Sequence, residues 1–466
     1  MPGRLAVEPC PAEVTLELAV DGRLLFVSDL HLSGGGPTSD FAATDQLVEL
    51  VGSLEHHPGP VILVLGGDIL DLLQAQGPAH RVSQASLTGG QLPWAQALDR
   101  VLGGPDAVLL ARALRRLARR PDARIVYLVG NHDAALAWDA AARRRVVDQL
   151  GVTDVALRLR VRVGSAAGEP LWLAAEHGDA FDPYNRRTDP FDPLDSPPGE
   201  HVVVEVVNRL EAAALVRPDL ALDQVNNVRP TALVPNWLVA NYFYRFLHHA
   251  LSRFALPLLA AFVLLHLPVA ALVLSDLSGR FTEAGELGAQ ALRWALAIVT
   301  VDLVLLGVLA AFLGRSLQHA LAAYGAPGPD QDDQPDPSLQ PTGAAPGGQL
   351  CPAQVLATGH THQARLRRAD HHLVVVDAGC WVQALVPVRA WLGLPPVFVP
   401  AYPCTWVDAT VTPAGMVVSL WERRLPVRRR LILIERLVTA GRLPHPRAVP
   451  PHVLTSVTVT AENMFD

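Results

Sequence analysis

Six short apolar runs, separated by amphipathic stretches, constrain the architecture of this 466-residue chain more than any other feature. The runs are bounded by glycine or polar residues and are mostly apolar on both faces, which is typical of buried strands. The runs cover residues 24–28, 61–65, 124–129, 171–176, 355–358 and 372–377. Between them, residues 40–54 and 106–119 repeat apolar side chains at helical spacing. This alternation predicts an α/β fold in which helices cover a central sheet.

The N-terminal region predicts a β-hairpin that forms in the cytoplasm. Asp21-Gly22 is a strong turn signal between two apolar segments of residues 13–28. No positively charged segment followed by an apolar core opens the chain, so we expect no signal peptide. The four cysteines show no CxxC spacing, which suits a reducing compartment and predicts neither a disulfide framework nor a thiolate metal site.

Two long apolar stretches, 254–274 and 292–313, predict a helical hairpin in a membrane. Each is close to the ~20 residues that cross a bilayer core of ~30 Å. Arginines flank the outer ends of the pair, and positive flanks favour the cytoplasmic side. The alternative is a soluble lid of two buried helices, which His266, Pro268 and Asp302 favour. Whether such a hairpin spans the bilayer or only dips into it stays open.

Five polar motifs stand where apolar runs end, and they read SDLHL, GGDILD, GNHD, HGD and GHTH. Ligands of open α/β sheets gather at the carboxyl ends of strands, so these motifs should meet at one edge. Each motif alone has an ordinary explanation as a turn or a chance match. Their occurrence together, each at a strand end, favours a metal site. The candidate side chains are Asp29, His31, Asp68, Asn131, His132, Asp133, His177, His360 and His362.

These residue types suit two divalent metals. Imidazole and carboxylate ligands favour Mn, Fe or Zn over a soft metal. The two-residue spacing of Asp29 and His31, shared by His360 and His362, lets two side chains converge on one ion. A carboxylate such as Asp68 can bridge two ions, which in two-metal hydrolases lie ~3.5–4 Å apart and activate a shared water. The residues thus predict in-line attack of a metal-bridging hydroxide on phosphorus.

The ordered motifs DxH, GD, GNHD, H and GHxH resemble those of the calcineurin-like metallophosphoesterases, over residues 23–180 and 351–425. The resemblance implies a β-sandwich flanked by helices, with a dinuclear site at one edge. It also implies two ligand sets that share a bridging carboxylate. The first set is Asp29, His31, Asp68 and His362, and the second is Asp68, Asn131, His177 and His360.

The same resemblance implies that His132 is the general acid or charge stabiliser near the leaving group, with Asp133 as its orienting partner. General-acid help is typically worth ~10²–10⁴ in rate. GGDILDLL and DAGCWV are similar to the family branch that contains UDP-2,3-diacylglucosamine pyrophosphatase, which acts on a lipid at the cytoplasmic membrane face. That branch also inserts a helical lid before GHTH. This chain departs from the branch in having His132 where the branch has arginine, and in a far longer insertion.

The expected protein is a hydrolase of phosphoester or pyrophosphate bonds at the cytoplasmic face of the cell membrane, with a membrane-associated or lipid-linked substrate. Mn is the expected metal, with Fe, Zn or Mg as alternatives. The alternatives for function are a phosphodiesterase or phosphatase for a soluble substrate, tethered to the membrane, and an inactive scaffold on the same fold. The net charge of −7 argues against nucleic-acid binding.

The expected organisation follows from where these patterns start and stop. A metallophosphoesterase domain is interrupted by an inserted membrane hairpin and a Pro/Gly/Asp-rich linker that we expect to be disordered. The parts are the first catalytic segment at 13–180, the helical insertion at 181–324, the linker at 325–349, the second catalytic segment at 350–425 and a C-terminal extension at 426–466. Residues 425–443 mix arginines with an apolar run. A membrane-surface segment is one interpretation, and an ordinary strand or helix with a solvated basic side is the favoured one.

Overall fold

The structure is a computed structural model with a mixed α/β fold, as the alternating pattern predicts. It describes residues 9–35, 39–76, 93–164, 170–216, 222–228, 233–250, 353–369, 372–427, 431–440, 442–443 and 448–460, together with isolated positions between 253 and 315. The predicted apolar hairpin and the predicted linker therefore lie almost wholly outside the described residues. Among the described residues, no helix is long and apolar enough to cross a membrane.

Fifteen strands are found in the described residues, and thirteen of them form two large sheets. The strands are β1 (Glu13–Leu18), β2 (Arg23–Val27), β3 (Val61–Gly66), β4 (Ala123–Leu128), β5 (Asp154–Ala156), β6 (Arg158–Val163), β7 (Leu171–Glu176), β8 (Val355–Thr358), β9 (Arg365–Arg368), β10 (Val374–Asp377), β11 (Ala384–Val388), β12 (Val397–Ala401), β13 (Pro403–Thr412), β14 (Gly415–Arg424) and β15 (Val449–Val459). One sheet has the order β1-β6-β7-β8-β10-β9, the other β15-β14-β13-β2-β3-β4-β5, and β11 pairs with β12.

Among the described residues, the helices up to residue 150 cover one face of the seven-stranded sheet, and most of the others lie in the predicted insertion. They are α1 (Thr44–Glu55), α2 (Leu72–Ala75), α3 (Pro93–Leu102), α4 (Pro105–Leu117), α5 (Ala135–Trp138), α6 (Ala140–Leu150), α7 (Pro198–Val202), α8 (Asn208–Val216), α9 (Val234–Ala250) and α10 (Leu433–Val438). A π-helical turn (Val203–Val207) joins α7 to α8, and Leu222–Asn227 and Trp391–Gly393 are 3₁₀ turns.

Alternation along the buried strands builds two cores, one on each face of the seven-stranded sheet. Leu24 and Phe26 of β2 point into the core between the two sheets, where they join residues such as Leu173 of β7. Leu25 and Val27 point the other way, into the core beneath the helices. The strand therefore has no polar face, because both of its faces are covered.

The sequence prediction of an N-terminal β-hairpin is wrong. A turn does form at Asp21-Gly22, with the Gly22 N–H donating to the Ala19 carbonyl. However, β1 pairs in parallel with β6 in one sheet, while β2 lies between β13 and β3 in the other. Strand β2 is paired on both sides with other strands and has no free edge for β1. The turn at Asp21-Gly22 therefore connects the two sheets.

Parallel pairing places the polar motifs at a common edge. Strands β2, β3 and β4 are parallel neighbours, and so are β7, β8 and β10 in the other sheet. Each candidate ligand follows the carboxyl end of one of these strands. The sandwich therefore delivers side chains from both sheets to one edge.

The C-terminal part completes the second sheet and adds one short helix. Strand β15 pairs antiparallel with β14 at the edge of that sheet. Residues 433–438 form α10. A third apolar cluster joins α9, α10 and the β11–β12 pair.

Candidate metal centre

The candidate ligands stand on strained backbone at the strand ends. Six described residues other than glycine have a positive φ, and five of them belong to the predicted site: Asp29, His31, Asp68, His360 and His362. Such left-handed conformations cost a residue with a Cβ roughly 1–3 kcal/mol and concentrate at functional sites. The surrounding structure maintains these conformations through backbone bonds, such as that from the His31 N–H to the Asp68 carbonyl.

A first group of ligand atoms consists of Asp29, His31 and His362, all within 4.8 Å of one another. The Nε2 atoms of His31 and His362 lie 3.2 Å apart. Asp29 Oδ1 lies 3.2 Å from His362 Nε2 and 3.8 Å from His31 Nε2. Asp29 Oδ1 is also buried without a hydrogen-bond partner, so a charged oxygen faces two imidazole nitrogens without satisfying its lone pairs.

A second group consists of Asp68, His177 and His360. The Nε2 atom of His177 lies 3.3 Å from Asp68 Oδ2 and 3.2 Å from Asn131 Oδ1. His360 Nδ1 lies 3.0 Å from the same Asn131 oxygen. The structure therefore places Asn131 among the three members of the second group.

Asp68 links the two groups. Its Oδ2 lies 3.8 Å from His31 Nε2 as well as 3.3 Å from His177 Nε2, and its Oδ1 accepts the His132 backbone N–H at 2.8 Å. The carboxylate is almost wholly buried, so water does not compete for it. Asp68 therefore lies between the two groups of ligand atoms.

Three histidines of the metal centre each direct one ring nitrogen away from the ligand groups, toward an oxygen atom that lies outside them. His31 Nδ1 lies 2.9 Å from Asp71 Oδ2, His177 Nδ1 lies 3.0 Å from the Gly66 carbonyl oxygen, and His360 Nε2 lies 2.9 Å from Asp182 Oδ2. A ring nitrogen that faces such an oxygen carries the proton, because it must donate. The other nitrogen of each neutral ring then turns a lone pair toward oxygens of the cluster, which is the arrangement of metal-ligating histidines.

This donor set fits divalent cations. When the rings are neutral, the facing atoms in each group are all acceptors, and a cation between them would replace repulsion by coordination. Separations of 3.2–3.3 Å between neighbouring donor atoms suit ligands that each stand about 2.1 Å from one ion. The histidines and aspartates of the centre can therefore hold metal ions.

The electrostatics of the centre attract positive charge. Burial alone would lower the pKa of His31, but the nearby carboxylates of Asp29, Asp71 and Asp68 outweigh it and raise that pKa to about 10. Burial acts in the same way on His177, where the charge of Asp68 prevails and raises the pKa well above its usual value. In turn, burial would raise the pKa of Asp29, but His362 and His31 hold it well below the usual range. The charges around these nitrogens therefore favour a cation, either a proton or a metal ion.

Asp71 is the residue that holds the His132 ring. Its Oδ1 lies 2.9 Å from His132 Nδ1, while its Oδ2 binds His31. This finding corrects the expectation that Asp133 orients His132. Asp133 instead accepts hydrogen bonds from the backbone N–H groups of Ile69 and Gly130 and from the Tyr127 hydroxyl.

Asp133 is therefore a structural residue of the metal centre. It is fully buried, and its bonds connect the end of β4 to the loop after β3. Burial and the nearby charge of Asp68 raise the pKa of its carboxyl group to about 7. The structure gives Asp133 no contact with the His132 side chain among the described residues.

Glycines permit the close packing of the centre. Gly67 has φ +88°, and a Cβ there would lie 2.5 Å from His177 Nδ1. A Cβ at Gly130 would overlap Asp68 Oδ1. Both positions therefore need a residue without a side chain.

Sequence reasoning missed two carboxylates beside the metal centre. Asp71 is the second aspartate of GGDILD, and its spacing from Asp68 was a usable signal, although the residue also caps α2 by accepting the Gln74 N–H at 2.8 Å. Asp182 begins the insertion and belongs to no motif. Only the folded chain brings it to His360.

Comparisons with known proteins leave the family of this chain undefined. No family model matches it, and no curated protein matches it. Among solved structures, a single mutant of Vps29 from Entamoeba histolytica is matched over 86% of this chain and 92% of that chain, with 10% identity and a TM-score of 0.23. A similarity of that size establishes neither a shared fold nor a shared function.

Proposed function

We propose that this protein is a metal-dependent phosphoesterase of the calcineurin-like type, which hydrolyses a phosphoester or pyrophosphate bond. One observation carries the proposal: Asp68 stands between two groups of largely buried imidazole and carboxylate side chains, with its Oδ2 3.8 Å from His31 Nε2 and 3.3 Å from His177 Nε2. Two divalent cations, with Mn as the first candidate, would supply a nucleophilic water of lowered pKa and neutralise charge on the phosphoryl oxygens. The ordered motifs of the sequence support the same assignment.

The residues of the chain would divide the remaining tasks. His132 is held by Asp71 through Nδ1, and its side chain is 12% exposed, which leaves Nε2 free to meet a leaving oxygen. A ring protonated on both nitrogens would donate its Nε2 proton to that oxygen and become neutral. Asp182 and Asp71 fix the rings of His360 and His31, which keeps their ligating nitrogens directed inward.

A membrane-associated or lipid-linked substrate at the cytoplasmic face of the membrane forms the second part of the proposal. It rests on the two apolar stretches of the sequence and on helix α9, which precedes them. On α9, Tyr242 is 73% exposed and Phe246 is 64% exposed, one turn apart with stacked rings. A phosphodiesterase or phosphatase that acts on a soluble substrate is the alternative.

The test measures metal content and Mn²⁺-dependent hydrolysis of bis-p-nitrophenyl phosphate, p-nitrophenyl phosphate and a UDP-lipid conjugate. Asp68→Ala should lose both bound metal and turnover, because it removes the shared ligand. His56→Gln, an exposed histidine at the end of α1, is the matched control and should behave as the wild type. A well-folded wild-type protein without metal and turnover would reject the enzyme and favour a scaffold. Preference for the lipid conjugate would support the membrane part.

A further inference from the structure

A second exposed surface lies around α10, which packs against the third apolar cluster. Leu433 is 67% exposed and Leu437 is 63% exposed, and they stand four residues apart on one side of the helix. Trp391, in the 3₁₀ turn before β12, is 48% exposed. Three large apolar side chains in one part of the surface are unusual for a face that meets only water.

The fold holds these side chains outward. Ile434 and Val438 of α10 pack against the third apolar cluster, which fixes the opposite face of the helix toward solvent. Trp391 Nε1 donates a hydrogen bond of 3.1 Å to the Ala440 carbonyl, just beyond α10. The guanidinium of Arg442 stacks on the same indole ring at 3.9 Å. We use the name α10 face for Trp391, Leu433, Arg436, Leu437 and Arg442.

The charge of the α10 face is positive. Arg436 is exposed between the two leucines, and Arg389 is exposed next to the turn of Trp391. Among the described residues, no carboxylate pairs with Arg389, Arg436 or Arg442. Glu435, the acidic residue of α10, is engaged instead with the Ile432 N–H at 2.8 Å. In sequence, three consecutive arginines at 428–430 precede the helix.

We propose that the α10 face rests on the surface of a membrane that contains anionic lipids. Leucine and tryptophan side chains beside arginines are the composition typical of helices that lie in the headgroup region. Each basic side chain near such a surface adds attraction to anionic headgroups. The position of α10 also supports a membrane as the partner of this face. Helix α10 packs with α9 in one apolar cluster, and α9 is followed in sequence by the apolar stretch at 254–274.

The test places an environment-sensitive NBD label on Leu437→Cys in the full-length protein. Cys351→Ser is added, because Cys10, Cys380 and Cys404 are buried. The protein is reconstituted in vesicles of phosphatidylcholine alone or with phosphatidylglycerol. The matched control is a label on Leu109→Cys, which is 41% exposed on α4 in the helix layer.

The label at position 437 should shift its emission to the blue in phosphatidylglycerol vesicles, and lipids that carry a quencher should quench it. High salt should reverse the shift, while the label at position 109 should respond to neither lipid. Emission typical of water at position 437 in both vesicles would overturn the proposal. A blue shift without quenching by lipid would also overturn it, since a protein would then cover the face.

A second measurement removes the contacts without a label. Leu433→Gln with Leu437→Gln should abolish the phosphatidylglycerol-dependent part of vesicle binding by the full chain, and Leu109→Gln should not. Arg436→Gln should reduce the salt dependence of that binding. Unchanged binding in the double variant would refute the proposal. Neither measurement uses turnover, so the outcome is separate from that of the phosphoesterase proposal.

Discussion

Two histidines of the metal centre, one from each ligand group, differ in what supports their outer nitrogen. In the first group, the outer nitrogen of His31 is held by the carboxylate of Asp71. In the second group, the outer nitrogen of His177 is held by the backbone carbonyl of Gly66, at the end of β3. Both supports fix a ring, but only the carboxylate adds charge and increases the basicity of the ligand.

This difference gives the two groups different dependencies. Asp71 also holds His132, so the first group and the candidate acid share one support. The second group depends on the exact path of the backbone at Gly66 and Gly67. A side-chain change at Asp71 should therefore affect the first group selectively, and a backbone change at Gly67 should affect the second.

The largest expected effect comes from removing one ligand of either group. His362→Ala and His177→Ala should each lower the metal content from two ions toward one. Turnover should fall by more than ~10–100-fold, which is the loss expected when a residue that only hydrogen-bonds to a metal ligand is removed. Metal analysis and Mn²⁺-dependent hydrolysis measure both effects, with the exposed His452→Ala on β15 as the control. Full turnover with one remaining ion would show that the altered group is not part of the catalytic centre.

The variant Asp71→Asn should have the next largest effect, and it should weaken metal binding by one ligand group without weakening the other. Asparagine can still cap α2, so the local fold is retained. Metal affinity of the first group should fall ~10–100-fold, while the second group should be unchanged. Turnover should fall further, because His132 loses its charged partner.

Asp139→Asn is the matched control for that variant, since Asp139 caps α6 by accepting the Ala141 and Ala142 N–H groups. Stepwise titration with Mn²⁺ resolves the two affinities. Equal weakening of both groups by Asp71→Asn would refute the selective coupling.

The strand-end motifs were predictable because each is encoded locally. An apolar run followed directly by Asp29 or by His177 shows both where a strand ends and which side chain follows it. Parallel pairing then brings these ends together without further information. The predicted metal residues consequently lie at one edge of the structure.

Other features depended on contacts between distant segments. The turn at Asp21-Gly22 looked like a hairpin because a local pattern does not reveal that β2 is enclosed by β3 and β13. The partner of His132 was assigned to the adjacent Asp133, although a loop from β3 supplies Asp71. Asp182 lies in the insertion and belongs to no motif, so the sequence did not predict its contact with His360.

Gly67→Ala tests the backbone support of the second group. A Cβ at this position would lie 2.5 Å from His177 Nδ1, and the φ of +88° would strain any side chain. The free energy of unfolding should fall by roughly 1–3 kcal/mol, and the affinity of the second group should weaken while the first is preserved. Gly52→Ala is the control, because its Cβ would meet no atom within 4 Å. Urea unfolding in the metal-free state compares the two variants, and an equal response would contradict the role of Gly67.

The smallest effect concerns protons of the first group. In the metal-free protein, the pKa of His31 is about 10, whereas the pKa of a histidine in the unfolded chain is ~6.5. The His31 proton therefore stabilises the fold fully below pH ~6.5, and this stabilisation is lost as the pH rises through the pKa of the folded state. A bound metal requires the neutral ring, so Mn²⁺ binding near neutral pH should release protons and strengthen as pH rises. Calorimetry in buffers of different ionisation enthalpy counts these protons. Asp71→Asn should release fewer, because it removes a cause of the raised pKa. Proton release that is unchanged by this variant would place the titrating group outside the first ligand group.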